Sequence, residues 1–209
     1  MFTLTLISIF SPLFPLIVGF RRRGTLLWFY PLVAFIFDVS ISYLKRVHGI
    51  YAEWPANMFL LIEAFFLLEI FRRSLFRTHS RNFSLASMLI IWAFVASGIY
   101  LDPFSFHHQG ASVLYLVYMI LAMLGLYDLI RSPREFYLEK SWFFWFVAGI
   151  LIYGAGSFLL FLFRAYLLEH AAELFYLTWH TVFQVVNIIK NIMIGLALSQ
   201  YKTLRREPV

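Results

Sequence analysis

The chain has no cysteine among its 209 residues, and only 13% of them are charged. Without thiols there is no disulfide framework and no sulfur-ligated metal, which removes small stapled secreted scaffolds and zinc ribbons together. A water-soluble surface needs about 25% charge, roughly twice what this chain carries. Its ten glycines follow no triplet period, so a collagen-like fibre is excluded. The composition is also too apolar for disorder. What is present is 62% apolar and 21% aromatic residue, with a mean hydropathy of +0.79. Such a chain belongs in a bilayer.

A hydrocarbon core is crossed by about 17–25 helical residues. Seven apolar stretches meet that length, at roughly 2–20, 25–44, 54–72, 84–101, 111–130, 142–163 and 174–199. Barrel-type alternation is absent, and backbone polar groups cannot be left open in lipid, so each stretch is expected to be a helix. The expectation is a single all-α transmembrane bundle of seven helices over residues 1–209. Short loops leave no room for a soluble domain.

The loops set the orientation. Arg21, Arg22, Arg23, Arg72, Arg73, Arg77, Arg81, Arg131, Arg134, Lys140, Lys202, Arg205 and Arg206 fall on one side, and only Lys45, Arg46 and Arg164 on the other. The positive-inside rule then places the N-terminus outside and the C-terminus in the cytoplasm, in a bacterial inner membrane. The net charge of +6 is therefore a topology signal, not a sign of nucleic-acid binding. No basic region precedes residues 2–20, so the first span is expected to be retained rather than cleaved. Trp28, Trp54, Trp142, Trp145, Tyr100, Tyr166, Tyr176 and Tyr201 sit near span ends, as interfacial belts do.

Ionisable groups within spans cost about 2.5–3.5 kcal/mol each and mark interior sites. Asp38, Glu63 and Lys190 are the deep ones. Glu63 lies nine residues from Arg72 and Lys190 nine from Ser199, about 13 Å of helix in each case, so the two can meet near the midplane. Asp38 falls in the outer half. Glu69 and Asp128 lie within a turn of Arg72, Arg73 and Arg131 and read as rim ion pairs.

The last span adds His180, Gln184, Asn187 and Asn191, which at 100° per residue form one narrow polar stripe with Lys190 on its flank. Asn57 completes the polar set. The amides admit a plainer role, a hydrogen-bonded seam between helices. A cation is not needed for such a seam, and Lys190 is the functional candidate. Gly149, Gly154, Ala155, Gly156 and Ser157 allow close helix approach, and Pro12 and Pro15 should kink the first span. On the outer face, His48, Glu53, Asp102, His107, His108, Glu169, His170 and Glu173 could titrate or bind a metal ion, but their spacing matches no metal motif.

A lysine midway along a seventh span, with Tyr51-Ala52-Glu53-Trp54 and Glu63 earlier in the chain, resembles a microbial rhodopsin. That likeness implies retinal as cofactor, Lys190 as its Schiff base, and Glu53 and Glu63 as carboxylate partners. The chain departs from the pattern at Ile50, where the family has arginine, at Val186, where it has a counterion, and in a sixth span without proline. Ser11 through Ile17, Phe59 through Glu63, Gly149 through Tyr153 and Asn187 through Asn191 resemble a group of small seven-helix membrane proteins associated with Bacteroidota. That likeness supports the architecture and the choice of Glu63 and Lys190, and implies no activity. An intramembrane metallohydrolase lacks its ligand set, since His180 is the one candidate buried histidine.

The resulting expectation is a non-enzymatic sensor or accessory signalling subunit. It binds a small ligand or relays a signal through Asp38, Glu63, Asn187 and Lys190, without cofactor or metal. Besides the bilayer, the expected partner is a cytoplasmic or membrane signalling protein, and a homo-oligomer is compatible. A small transporter or channel is the other alternative.

Overall fold

The computed structural model describes residues 2–47, 53–75, 107–131 and 138–201, with 89, 92, 93, 96–98 and 100 between them. Among the described residues the regular structure is entirely helical. The helices are α1 (Phe2–Phe10), α2 (Leu13–Val18), α3 (Leu26–Val47), α4 (Glu53–Leu75), α5 (His108–Arg131), α6 (Trp142–Leu162), α7 (Arg164–His170), α8 (Ala172–Thr178) and α9 (Gln184–Gln200). A π turn, Trp179–Phe183, joins α8 to α9.

Five segments are long and apolar enough to cross a membrane: Leu26–Leu44, Glu53–Leu75, His108–Arg131, Trp142–Leu162 and Ala172–Gln200. The expected first span is instead two short helices that meet at Ser11 and Pro12. Proline at 12 and 15 removes two backbone donors, and the Ser11 hydroxyl turns back onto the Ser8 carbonyl at 2.7 Å. Most of the expected span at 84–101 lies outside the described residues.

Local signals set the helix ends. Thr25 caps α3: its hydroxyl accepts the Trp28 amide at 3.3 Å and donates to the Arg22 carbonyl at 3.0 Å. Gly24, at a φ of +98°, supplies the left-handed residue just before that cap. Glu53 opens α4 and Arg72 and Arg73 close it, each sign matching the helix dipole.

The helices close a ring in which α3 packs on α4, α4 on α5, α5 on α6, α6 on α9, α9 on α1 and α2, and α2 on α3. Contacts fix the directions. Ring pairs Phe37–Phe59 and Tyr30–Phe66 make α3 and α4 antiparallel. The His107 amide donates to Asn57 Oδ1 at 3.1 Å, so α5 starts at the end where α4 starts. Glycine permits the closest approach: a Cβ at Gly149 would stand 2.7 Å from Met193 Cβ, and one at Gly156 2.7 Å from Val186 Cγ1. Both glycines thus face α9, while Gly154 faces Met119 and Tyr115 of α5. Small-residue packing therefore divides between two neighbours.

Candidate functional site

Five helices each send one polar group into the middle of the ring: Tyr30 from α3, Glu63 from α4, Tyr115 from α5, Tyr153 from α6 and Lys190 from α9. All five are buried, none with more than 3% exposure. Glu63 stands ten residues from Glu53 and twelve from Leu75, at the centre of α4.

The hydrogen bonds run in one sense. Lys190 Nζ donates to Tyr30 Oη at 2.9 Å, and Tyr30 Oη donates to Glu63 Oε1 at 2.8 Å. From the other side Tyr115 Oη donates to Glu63 Oε2 at 3.4 Å. Since Tyr115 spends its proton there, the 3.1 Å contact between Tyr115 and Tyr153 hydroxyls has Tyr153 as donor. Both arms converge on Glu63 as acceptor, the arrangement an ionised carboxylate requires. Lys190 Nζ lies 3.5 Å from Glu63 Oε1, 3.9 Å from the Tyr153 ring centroid and 5.3 Å from that of Tyr30. An ammonium taken out of water is thereby held by a carboxylate, a hydroxyl and two aromatic faces. Asp38, half-buried on α3, lies within electrostatic reach of both Lys190 and Glu63.

The amides divide away from the lysine. Asn187 Nδ2 donates to Ser8 Oγ of α1 at 3.0 Å and Asn191 Nδ2 to Ser11 Oγ, in the turn between α1 and α2, at 2.6 Å. They form the seam, so the single polar cavity expected for Asn187, Asn191 and Lys190 is corrected to two separate sites. Gln184 is half-buried. The π turn that contains His180 inserts a residue ahead of α9 and shifts the register on which the stripe was drawn; the His180 side chain lies outside the described set. Asn57 is buried and belongs to the His107 contact near the end of the bundle. The seam should be modest in energy: a double-mutant cycle on Ser8→Ala and Asn187→Ala, read by thermal unfolding in detergent, is expected to give a coupling of about 0.6 kcal/mol.

Glu53 is not a partner of Lys190. It pairs with Arg164 at 3.6 Å, ten residues or about 15 Å along α4 from Glu63, which corrects its assignment as a second carboxylate beside the lysine. Glu69 makes the expected rim pairs, at 2.6 Å to both Arg72 and Arg73. Arg131 instead donates to Tyr127 Oη at 3.4 Å, and Asp128 is exposed. His48 and Asp102 of the outer group lie outside the described residues, and among those described no three acidic or histidine side chains form a metal-sized group. Burial, followed by the adjacent His108, holds the His107 imidazole below its usual range.

The two ends of the bundle differ on either side of the cluster. Toward Arg72 and Arg73 the interior is packed mainly by Leu67, Phe71, Phe146, Val147, Ile194 and Leu198, with Glu69 and Tyr118 buried among them. Phe71 and Phe146 rings meet there at 5.2 Å. Toward Glu53 the buried set includes Asn57, Ser112 and Ser157.

The tyrosines were not singled out from sequence. The available signal was that Tyr153 lies eleven residues into its expected span, where a phenol hydroxyl needs a protein partner; Tyr30 and Tyr115, five and four residues into theirs, carried less. Compared with family models, curated proteins and solved structures, the chain matches none of them.

Proposed function

We propose that this is a non-enzymatic multi-pass protein of a bacterial inner membrane, a sensor or accessory signalling subunit whose switch is the Glu63–Lys190 cluster. The observation that carries the reading is that one buried ion pair gathers a group from each of five helices. A change of charge or ligand at that point alters the fit of all five, and interiors respond to such changes by switching between packed arrangements. With the basic loops in the cytoplasm, the cluster communicates with the outer face and a signalling partner docks on the cytoplasmic one. The seven-span count fits this reading, because α4 and α5 run in the same direction and a crossing at 84–101 would connect them. Among the described residues the Arg72 side is packed mainly by apolar side chains, with Glu69 tied to Arg72 and Arg73, which favours a sensor over a channel.

The test uses the cysteine-free background. Spin labels at exposed Ile130 and Ser199, on the last turns of α5 and α9, report helix positions in nanodiscs. The Glu63→Gln/Lys190→Met double variant is expected to shift or split the single distance seen in wild type. Identical distributions would contradict a switching role.

A further inference from the structure

Among the described residues the cluster is one positive charge short. Asp38 and Glu63 bring two carboxylates and Lys190 one ammonium, so full ionisation would leave a net charge of −1 at membrane depth. A charge there is costly unless paired. We infer that Asp38 binds one proton from the Glu53 side of the bundle, and that this proton is the ligand of the cluster. The inference builds on the proposed switch for its consequence, not for the binding.

Three features select Asp38. First, Glu63 is engaged as acceptor at both oxygens, by Tyr30 and by Tyr115. A proton placed on it would face two donors, and one arm would have to reverse. Second, Asp38 makes no hydrogen bond among the described residues. The charged and titratable groups around it are Lys190 on α9, Glu63 on α4 and Tyr115 on α5. Nothing there prevents its carboxyl from carrying a proton. Third, its place in the fold fits an entry point. The Phe37–Phe59 and Tyr30–Phe66 pairs set Asp38 level with Met58, five residues or about 7–8 Å from Glu63 toward Glu53. Tyr30, Ala34 and Asp38 share one stripe of α3, which leads to the lysine. The half toward Glu53 holds buried Asn57, Ser112 and Ser157, whereas the buried polar groups described in the opposite half are Asn191, held by Ser11, Glu69, held by Arg72 and Arg73, and the Tyr118 hydroxyl. Tyr118 Oη is buried without a hydrogen-bond partner among the described residues and lies within electrostatic reach of Glu63, one turn from Tyr115. It is a free hydroxyl on which the network can rearrange when the charge changes.

Charge balance gives the test its signs. Infrared difference spectra of the full-length protein in nanodiscs, stepped from about pH 5 to about pH 9, should contain one protonated-carboxyl C=O band that titrates. Asp38→Asn should abolish that band, and Asp38→Glu should retain one at a shifted frequency. Glu63→Gln makes the remaining Asp38–Lys190 pair neutral, so the band should titrate at lower pH than in wild type. Lys190→Met removes the cation, and the band should persist to higher pH. Thermal stability should fall as pH rises, because a proton held only by the folded chain stabilises it until the proton leaves. A band that survives Asp38→Asn, midpoints indifferent to Glu63→Gln and Lys190→Met, or stability set by sodium at constant pH would each overturn the assignment. If the band behaves as stated while the Ile130–Ser199 distance never moves, the proton site stands and the switch falls. If the distance responds but no such band exists, the switch stands and the proton site falls.

Discussion

Lys190→Met, in an otherwise unchanged chain, is expected to lower stability by about 3–5 kcal/mol, the range found when one member of a buried ion pair is removed. The loss comes less from missing attraction than from what stays behind. Glu63, with 1% exposure, would be left in an apolar interior without its cation, and Tyr30 Oη would lose the donor that polarises it toward the carboxylate. The aromatic faces of Tyr30 and Tyr153 would lose their cation as well. Thermal or denaturant unfolding in bicelles measures the effect. Glu63→Gln should cost a comparable amount, because it strands the ammonium instead. These losses set the cluster apart from the Asn187–Ser8 seam, where neutral partners are exchanged for modest gains.

The second large effect should come from Gly149→Leu. A Cβ at this position stands 2.7 Å from Met193 Cβ and 3.5 Å from the Lys190 carbonyl oxygen, so any side chain pushes α6 away from the turn of α9 that holds the lysine. Overpacking of this kind costs about 1–3 kcal/mol. Because the seven-residue spacing of Gly149 and Gly156 matches that of Val186 and Met193, displacement at one end tilts the whole contact. Met193→Gly, which removes the Cβ that is hit, should recover part of the loss in the same unfolding assay. The contact matters to the site because it brings the Tyr153 ring to 3.9 Å from Lys190 Nζ.

How much of this was legible in the sequence follows from which interactions have a period. Helices of about twenty apolar residues write their length directly into composition, and the long segments from Leu26 to Gln200 were found to within a few residues at most ends. Depth is also linear along a helix, which is why nine residues from Arg72 and nine from Ser199 sufficed to match Glu63 with Lys190. Azimuth is less secure. A stripe drawn at 100° per residue through His180, Gln184, Asn187 and Asn191 takes no account of the π turn at Trp179–Phe183, for which the sequence carries no signal. It also cannot say which neighbour a stripe meets. Asn187 and Asn191 turn to Ser8 and Ser11, whose partners were hidden because serine is common in apolar helices. The tyrosines were missed for a related reason: in a chain with 25 phenylalanines, twelve tyrosines read as more packing surface. Only the fold places two of those hydroxyls on Glu63 and a third, that of Tyr153, behind Tyr115.

The most direct test of the central claim is the coupling free energy between positions 63 and 190, from a four-member cycle of wild type, Glu63→Gln, Lys190→Met and the double variant unfolded reversibly in bicelles. A buried pair that holds the ring together predicts that the double variant is more stable than either single one, since no charge is then left without its partner. Losses that simply add would mean that the two groups act independently, and the account of the cluster would be contradicted.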